Sequence, residues 1–293
     1  MVPPEEVSLS ELLRRRGVRL SARRGQNFMV DHNMLDFLVR SACIHEHDIV
    51  LEVGTGIGFL TERLLGACAR VISVELDRGL YSIAAERLAG AEGLVLVEGD
   101  AIEGPEWHPR VCQALREAAA ALPGSPLKMC SNLPYSAATA VVQAVLLGGL
   151  DFAKCTFTVQ WEVADRLTAG PGGRDYGYIS ALVALFAEAR IIRKLPAAVF
   201  WPRPKVESAI VELRPLARGA GGRDDRRDAA EALSILFSNR RKEVLGILRR
   251  CGFDESVILE VRKLMEEKDI SARERVFRLE PAVLREIARI MQA

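Results

Sequence analysis

Apolar residues recur along the chain with two spacings, and the two alternate. Short apolar runs, typical of buried strands, are separated by longer stretches in which apolar residues fall three or four positions apart, as on one face of a helix. Strands are predicted at residues 48–53, 70–76, 94–98, 127–130, 155–159, 190–195 and 208–213. Helices are predicted at residues 8–16, 32–43, 59–65, 110–122, 137–147, 162–168 and 178–187. Strands that alternate with helices predict an α/β fold built on a largely parallel sheet.

The pattern changes near residue 218. The glycine-rich stretch Arg218-Gly219-Ala220-Gly221-Gly222-Arg223 is typical of a flexible boundary. Beyond it only helical spacing occurs, with helices predicted at residues 229–237, 241–248, 256–265 and 281–291. We therefore predict an α/β domain at residues 1–217, which includes a basic N-terminal arm, and a small helical domain at residues 223–293.

The first predicted strand of the sheet runs directly into Gly54-Thr55-Gly56-Ile57-Gly58, and a helix follows. A strand, a glycine-rich turn and a helix form an arrangement that cradles nucleotides, because glycine lets the backbone approach a ligand closely. The dinucleotide fingerprint would need glycine where Phe59 stands. This difference disfavours NAD and favours S-adenosylmethionine, which has no pyrophosphate to bind at a helix N-terminus.

Polar side chains stand at the ends of four successive strands. Glu75 lies 21 residues after Gly54, about the distance at which an acid accepts hydrogen bonds from two ribose hydroxyls. Asp100 follows the third strand and can accept a hydrogen bond from the exocyclic amine of adenine. Glu52 and Asn132 stand at the ends of the first and fourth strands. Because parallel strands end at one edge of the sheet, these side chains predict one nucleotide site there.

The stretch Ser131-Asn132-Leu133-Pro134-Tyr135-Ser136 follows the fourth strand. Asn132 offers a side-chain carbonyl oxygen, and the peptide carbonyl of Leu133 is held extended by the proline that follows. Tyr135 adds a flat aromatic face. Two acceptors beside a stacking ring suit a planar group that carries an NH2, such as adenine. The alternative is an ordinary strand end before a proline turn, with Tyr135 half-buried.

Basic residues cluster in three places. Six arginines fall near the N-terminus, at Arg14, Arg15, Arg16, Arg19, Arg23 and Arg24. A proline-rich segment holds Trp201, Arg203 and Lys205. The third cluster is Arg240, Arg241 and Lys242. Each cluster is either a solvated surface or a contact for nucleic-acid phosphates. We favour a packing role for Trp201 and a place in the wall of the nucleotide site for Lys205.

The composition of the chain narrows the classes of protein to which it can belong. The chain has 293 residues, of which 49% are hydrophobic, and its net charge is +1, which disfavours global disorder and nonspecific coating of nucleic acid. No signal peptide or membrane-spanning stretch is apparent. The six scattered cysteines lack a Cys-x-x-Cys motif and indicate buried free thiols in a cytoplasmic protein. Cys43-Ile44-His45-Glu46-His47 fits no common zinc spacing, so no metal is expected.

Together these motifs resemble the ribosomal RNA adenine dimethyltransferases, the KsgA family. The motifs occur in the family's order: Gly25-Gln26-Asn27-Phe28, Glu52 to Gly58, Val74 to Asp77, Gly99-Asp100-Ala101, Asn132 to Tyr135, Pro202 to Ser208 and Phe237 to Lys242. The resemblance implies a Rossmann-like S-adenosylmethionine-dependent methyltransferase domain with a small C-terminal helical domain. It also implies a cytoplasmic, monomeric enzyme that dimethylates two adjacent adenines near the 3′ end of small-subunit rRNA during late ribosome assembly.

The same resemblance assigns roles to individual residues. The cofactor is expected to contact Gln26, Asn27, Met29, Glu52, Gly54, Gly56, Glu75, Asp100, Ala101 and Asn132. The candidate catalytic residues, which hold the target base, are Asn132, Leu133, Pro134 and Tyr135. RNA is expected to contact Arg23, Arg24, Lys205, Arg240, Arg241 and Lys242.

Four features depart from the family pattern. Thr55 stands where proline is common, and Ser136 stands where bacterial members usually have asparagine. Val163 stands where some relatives place a phenylalanine that covers the second face of the base. The predicted helix at residues 110–122 is longer than usual and has no assigned role.

Three other functions compete with this interpretation. A methyltransferase for large-subunit rRNA, DNA adenine or a protein glutamine amide would use a similar Asn-x-Pro-Tyr motif. A second alternative is a binding protein that keeps the fold but does not catalyse methyl transfer. The presence of Glu75, Asp100 and Asn132 disfavours it. An oxidoreductase is disfavoured most, by the glycine spacing.

Overall fold

The structure is a computed structural model that describes residues 8–21, 25–217 and 222–292. Its helices are α1 (Leu9–Arg15), α2 (His32–Ala42), α3 (Phe59–Leu65), α4 (Arg78–Arg87), α5 (Pro109–Ala121), α6 (Ala138–Leu147), α7 (Trp161–Thr168), α8 (Tyr178–Phe186), α9 (Gly222–Phe237), α10 (Val244–Arg250), α11 (Glu255–Glu267) and α12 (Pro281–Gln292). Its strands are β1 (Phe28–Met29), β2 (Ile49–Val53), β3 (Arg70–Glu75), β4 (Leu94–Glu98), β5 (Ile102–Glu103), β6 (Glu106–Trp107), β7 (Leu127–Ser131), β8 (Phe152–Gln160), β9 (Ala187–Leu195), β10 (Phe200–Trp201) and β11 (Ser208–Pro215).

Seven strands form one mixed sheet in the order β4-β3-β2-β7-β8-β11-β9. Neighbours from β4 to β8 are parallel, whereas β11 is antiparallel to both β8 and β9. The chain order reverses between β2 and β7, where a crevice opens beyond the carboxyl ends of the strands. Open α/β sheets bind their ligands at this switch point. The predicted α/β class is confirmed.

The two faces of the sheet explain the continuous apolar runs of its strands. In β2, Ile49 and Leu51 belong to a core cluster that includes α5, α6 and α8. Val50, which points to the opposite face, packs with α2 and α3. A strand covered by helices on both sides needs apolar residues at every position.

Among the C-terminal helices, α9 packs against α6 and α8, and α12 packs against α8. Their apolar side chains belong to the same core cluster as those of α5 and α6. Arg226 of α9 is 4% exposed, and its guanidinium lies 5.0 Å from the centre of the Phe186 ring. It donates hydrogen bonds to the carbonyls of Leu146, at 3.1 Å, and Leu216, at 2.7 Å. Most of the predicted boundary lies outside the described residues, so the division into two domains stays a prediction.

The glycine-rich loop at residues 169–177 is bonded to the turn that follows α9. Arg240 donates to the carbonyls of Arg174, at 2.8 Å, and Tyr176, at 2.5 Å. The Tyr176 side chain is fully buried and packs edge-on against Phe237. These contacts anchor the loop and give Arg240 a structural role that the sequence did not indicate.

Several predicted elements need correction. The helix predicted at residues 8–16 begins at Leu9, because Ser8 is its cap and the Ser8 hydroxyl accepts a hydrogen bond from the Glu11 amide. Helix α4 was not predicted, since its buried stripe is short and includes a small alanine. The helix predicted at 241–248 begins only at Val244, because Glu243 forms a β-bridge with residue 275.

Three further expectations concern membrane-spanning helices, cysteines and metal ligands. None of the described helices is long and apolar enough to cross a membrane. Cys130 and Cys155 are buried free thiols, as expected, but Cys43 and Cys251 are exposed. Within residues 8–21, 25–217 and 222–292, no group of three or more His, Cys, Asp or Glu side chains is arranged to hold a metal ion.

We expect Arg226→Met to lower the free energy of unfolding by about 2 kcal/mol, because the buried carbonyl of Leu146 and the partly exposed carbonyl of Leu216 lose a charged donor. Chemical denaturation of the full chain measures this change. Arg227→Met is the matched control. Arg227 follows in the same helix and forms a half-exposed ion pair with Glu106, so its loss should cost less than about 0.5 kcal/mol. Equal effects of the two substitutions would contradict the anchoring role of Arg226.

Candidate active site

The glycine turn after β2 brings the backbone against the motif after β7. Gly54 has a φ of 88°, in the left-handed region that favours glycine. A Cβ atom on Gly54 would lie 2.9 Å from Cδ of Pro134. The two segments therefore meet so closely that any side chain at position 54 would force them apart.

An inner pocket lies at this meeting point. Its lining includes Gln26, Gly54, Glu75, Asp100, Ala101, Pro134 and Ser136. Five of the ten predicted cofactor-binding residues thus line this pocket, namely Gln26, Gly54, Glu75, Asp100 and Ala101. Asp100 is exposed at the rim, where its carboxylate accepts a hydrogen bond from the Ile102 amide at 3.1 Å.

Glu75 is fixed within the inner pocket. Its two carboxylate oxygens accept hydrogen bonds from the amides of Gly56, at 2.7 Å, and Asp77, at 2.8 Å. Burial raises the pKa of Glu75 to about 7, although these backbone donors oppose the rise. Each oxygen keeps a second lone pair, so the carboxylate can still accept from a pair of hydroxyls.

Glu52 lies deeper than the sequence indicated. One carboxylate oxygen accepts hydrogen bonds from the hydroxyls of Thr61 and Ser73, both at 2.6 Å. The other, Oε1, is buried without a hydrogen-bond partner among the described residues. Burial raises the pKa of Glu52 to about 8. Glu52 also lines a third, smaller pocket with Met29, Gly54 and Asn132.

An outer cleft of about 670 Å³ opens on the other side of the motif. It is lined by Leu20, Gly25, Gln26, Asn27, Tyr135, Ser136, Gln160 and the segment Pro202, Arg203, Pro204, Lys205 and Val206. The Tyr135 ring is half-buried, as the alternative interpretation of the motif expected, yet it also faces this cleft. Its hydroxyl shares a 2.6 Å hydrogen bond with Ser208 of β11, which fixes the ring.

Asn132 is held by two hydrogen bonds. Its Nδ2 donates to the backbone carbonyl of Asn27 at 2.9 Å, and its Oδ1 accepts from the Thr158 hydroxyl at 2.6 Å. Leu133, next in the motif, is buried and anchors the segment in the core. The sequence did not identify Thr158, Ser208 or Gln160 as site residues. Alternating polar residues in β8, at 156, 158 and 160, were the available signal.

The loop before β1 covers the motif. A Cβ on Gly25 would lie 2.8 Å from the Tyr135 amide nitrogen, so the loop backbone rests directly on the motif. Gln26 accepts a hydrogen bond from the Ser21 amide at 2.8 Å. Met29 is buried in β1, which pairs with β10. Gln26 lines the inner pocket and Met29 lines the third pocket, whereas Asn27 lines only the outer cleft. Their contacts with the cofactor stay predictions.

The predicted RNA-contacting residues divide into three groups. Lys205 is exposed in the wall of the outer cleft, together with Arg203. Arg241 and Lys242 are exposed but do not line the cleft, and Arg240 is bonded to the loop at 169–177. Arg23 and Arg24 lie outside the described residues. Their roles stay predictions.

Two further expectations concern aromatic packing. Trp201 stacks on Phe28, with ring centres 6.4 Å apart, which fits the packing role. Val163 packs against the main core cluster and does not line the outer cleft, so it does not cover a base held there. The proline-rich segment at residues 202–206 is the nearest candidate for that position.

Glu52→Gln tests the buried carboxyl. Unfolded, this group ionises near pH 4.5, whereas in the folded protein its pKa is about 8. Between these values only the folded state holds the proton, so the contribution of Glu52 to stability falls as pH rises. We expect Glu52→Gln to stabilise the protein at pH 8.5 by roughly 4 kcal/mol more than at pH 5.

Denaturation curves at both pH values measure this difference. Glu46→Gln, which changes a carboxylate that is 85% exposed, is the control and should give no pH-dependent gain. An identical effect of Glu52→Gln at pH 5 and pH 8.5 would show that the Glu52 carboxyl is not protonated near neutrality.

Comparisons with known proteins agree with this geometry. A family model described as "Ribosomal RNA adenine dimethylase" matches residues 18–276. "Ribosomal RNA small subunit methyltransferase A" of Moorella thermoacetica is 35% identical over 249 residues, which cover 85% of each chain. The protein of the same name from Phenylobacterium zucineum is 37% identical over 246 residues, covering 84% of this chain and 81% of that protein.

Two solved structures share the fold. A dimethyladenosine transferase from Plasmodium falciparum superposes with a TM-score of 0.69 at 22% identity, covering 89% of this chain and 95% of that one. The 23S rRNA methyltransferase ErmE gives a TM-score of 0.61 at 21% identity, covering 91% of this chain and all of the other (100%). These similarities confirm the Rossmann-like fold. The family match and the identity to the curated relatives show that the chain belongs to the ribosomal RNA adenine dimethylase family and is a methyltransferase that acts on rRNA.

Proposed function

We propose that this enzyme uses S-adenosylmethionine to dimethylate N6 of two adjacent adenosines near the 3′ end of small-subunit rRNA. One observation carries the proposal: a single short segment separates two cavities. Pro134 faces the inner pocket, Tyr135 faces the outer cleft, and Ser136 lines both. A donor held on one side and a base held on the other would therefore meet at this segment.

The inner and third pockets have the chemistry that the cofactor requires. Glu75 accepts hydrogen bonds from ribose hydroxyls, and Asp100 lies where it can accept from the adenine amine. The unpaired oxygen of Glu52 is suited to a positively charged group beside Gly54. When bound, S-adenosylmethionine supplies an electrophilic methyl group on a sulfonium, which is already a good leaving group.

The outer cleft suits an extruded adenine. Tyr135 offers its ring for stacking, and Gln160 adds an amide to the wall. The Oδ1 of Asn132 and the carbonyl of Leu133 accept the two hydrogens of the target amine. These acceptors aim the nitrogen lone pair at the methyl group, so positioning and electrostatics contribute most to the rate. No general base is needed before attack, because the amine proton becomes acidic once the methyl group is transferred.

The small subunit is favoured as substrate by the name that the two curated relatives described above share, which is that of a small-subunit rRNA methyltransferase. Exposed Arg203 and Lys205 beside the cleft can contact phosphates next to the target base. Arg241, Lys242 and the N-terminal Arg23 and Arg24 complete the proposed RNA contacts. The proposal includes a cytoplasmic, monomeric enzyme that acts during late assembly of the subunit.

Methyl transfer to defined substrates tests this function. Small subunits from cells that lack the methylation, large subunits and naked rRNA are each incubated with labelled S-adenosylmethionine, and the nucleosides are analysed. We expect dimethyladenosine on small subunits alone. Label on large subunits would assign the enzyme to the other subunit, and absence of label from every substrate would refute the proposal.

Asn132→Ala separates catalysis from cofactor binding in the same assay. Because the variant loses an acceptor for the target amine, we expect turnover to fall at least about a hundredfold. Calorimetry should show a much smaller change in S-adenosylmethionine affinity. Equal losses of turnover and affinity would contradict the role of Asn132 at the target base.

Glu75→Gln tests the inner pocket. An amide in place of this carboxylate presents an NH2 to one of the two backbone donors, and we expect the dissociation constant of S-adenosylmethionine to rise about tenfold or more. Glu98→Gln is the control, since Glu98 pairs with Glu75 in the sheet but does not line the pocket. Unchanged affinity of Glu75→Gln in calorimetry would exclude the ribose contact.

A further inference from the structure

We propose that Thr158 is a positioning residue, whose hydroxyl holds the Asn132 amide in the orientation that the reaction needs. The inference rests on the proposed function, because the group that Asn132 would receive is the target amine. Thr158 lies on β8, is fully buried, and reaches Asn132 from the strand next to β7. Its Oγ1 is 2.6 Å from Asn132 Oδ1.

The direction of this hydrogen bond is fixed by chemistry. The side-chain oxygen of asparagine can only accept, so the Thr158 hydroxyl donates. On the other side of the amide, Nδ2 donates to the Asn27 carbonyl at 2.9 Å. If the amide turned over, its oxygen would face the carbonyl oxygen of Asn27. The two partners therefore select one of the two amide orientations.

That orientation determines what Asn132 offers the base. With one lone pair of Oδ1 engaged by Thr158, the second stays available as an acceptor for the target amine. Without the hydroxyl, the amide would be held at Nδ2 only and could rotate about its last torsion. Because the rate of a positioned reaction depends on alignment, such rotation should lower turnover more than binding.

Thr156 provides a contrast within the same strand. It lies two residues before Thr158, so its side chain points to the same face of the sheet. It is also fully buried, but its hydroxyl has no hydrogen-bond partner within the described part of the chain. The sheet thus tolerates a hydroxyl here that makes no bond, whereas the Thr158 hydroxyl bonds a residue of the site.

Three variants of the full-length enzyme test the inference. Thr158→Val keeps the shape and removes the donor, Thr158→Ser keeps the donor, and Thr156→Val is the matched control. We expect Thr158→Val to lower kcat about tenfold to a hundredfold, with S-adenosylmethionine affinity and the KM for subunits within about threefold of wild type. Thr158→Ser should recover kcat to within about threefold, and Thr156→Val should not change it.

A second readout does not depend on activity. In protein labelled with ¹⁵N at asparagine, the side-chain amide signals of Asn132 are assigned by their loss in Asn132→Ala. These signals should shift and exchange faster with solvent in Thr158→Val, but not in Thr156→Val. If they do not move, the positioning role is refuted, even when the enzyme is active.

The two readouts distinguish failure of this inference from failure of the proposed function. Wild-type enzyme that methylates no rRNA would refute the proposed function, while the amide signals would still decide whether Thr158 orients Asn132. Active wild type with equal kcat in Thr158→Val and Thr156→Val would overturn the inference alone. A loss in Thr158→Val that serine does not recover would also overturn it, since it would reflect packing.

Discussion

The site depends on the close approach of three backbone segments at the carboxyl edge of the sheet. The glycine turn after β2 touches Pro134 through Gly54, and the loop before β1 rests on Tyr135 through Gly25. Neither glycine has room for a Cβ atom, and both have positive φ angles. This contact places the walls of the inner pocket and the outer cleft on opposite sides of a segment only a few residues wide.

Buried carboxyls give this edge its electrostatic character. Burial raises the pKa of Glu52 to about 8 and that of Glu75 to about 7, so neither carboxyl is fully ionised near neutral pH. A ligand that brings positive charge beside Glu52 would favour its ionised form. Cofactor binding and proton release are therefore expected to be linked. The burial of these carboxyls lowers the stability of the ligand-free protein.

The C-terminal region holds neighbouring segments of the chain in place as well as carrying positive charge. Arg226 connects α9 to the ends of α6 and β11, and Arg240 anchors the loop at residues 169–177. The sequence predicted an RNA contact for Arg240. A cluster of positive residues is the same pattern in a sequence whether its side chains face solvent or backbone carbonyls. Only the packing of the loop shows that Arg240, which is partly buried, donates hydrogen bonds to the carbonyls of residues 174 and 176.

The sequence by itself determined the α/β class, the positions of most strands along the chain, the glycine turn and the motif from Asn132 to Tyr135, because these are local patterns of polarity and residue type. Helix α4 was missed because its apolar stripe is short. Thr158 and Ser208 were missed because their partners, Asn132 and Tyr135, lie far away in sequence, in the segment after β7. Tertiary structure alone decided that Glu52 is buried with one oxygen unpaired and that Thr158 meets Asn132. Such contacts join residues distant in sequence, so no local pattern can specify them.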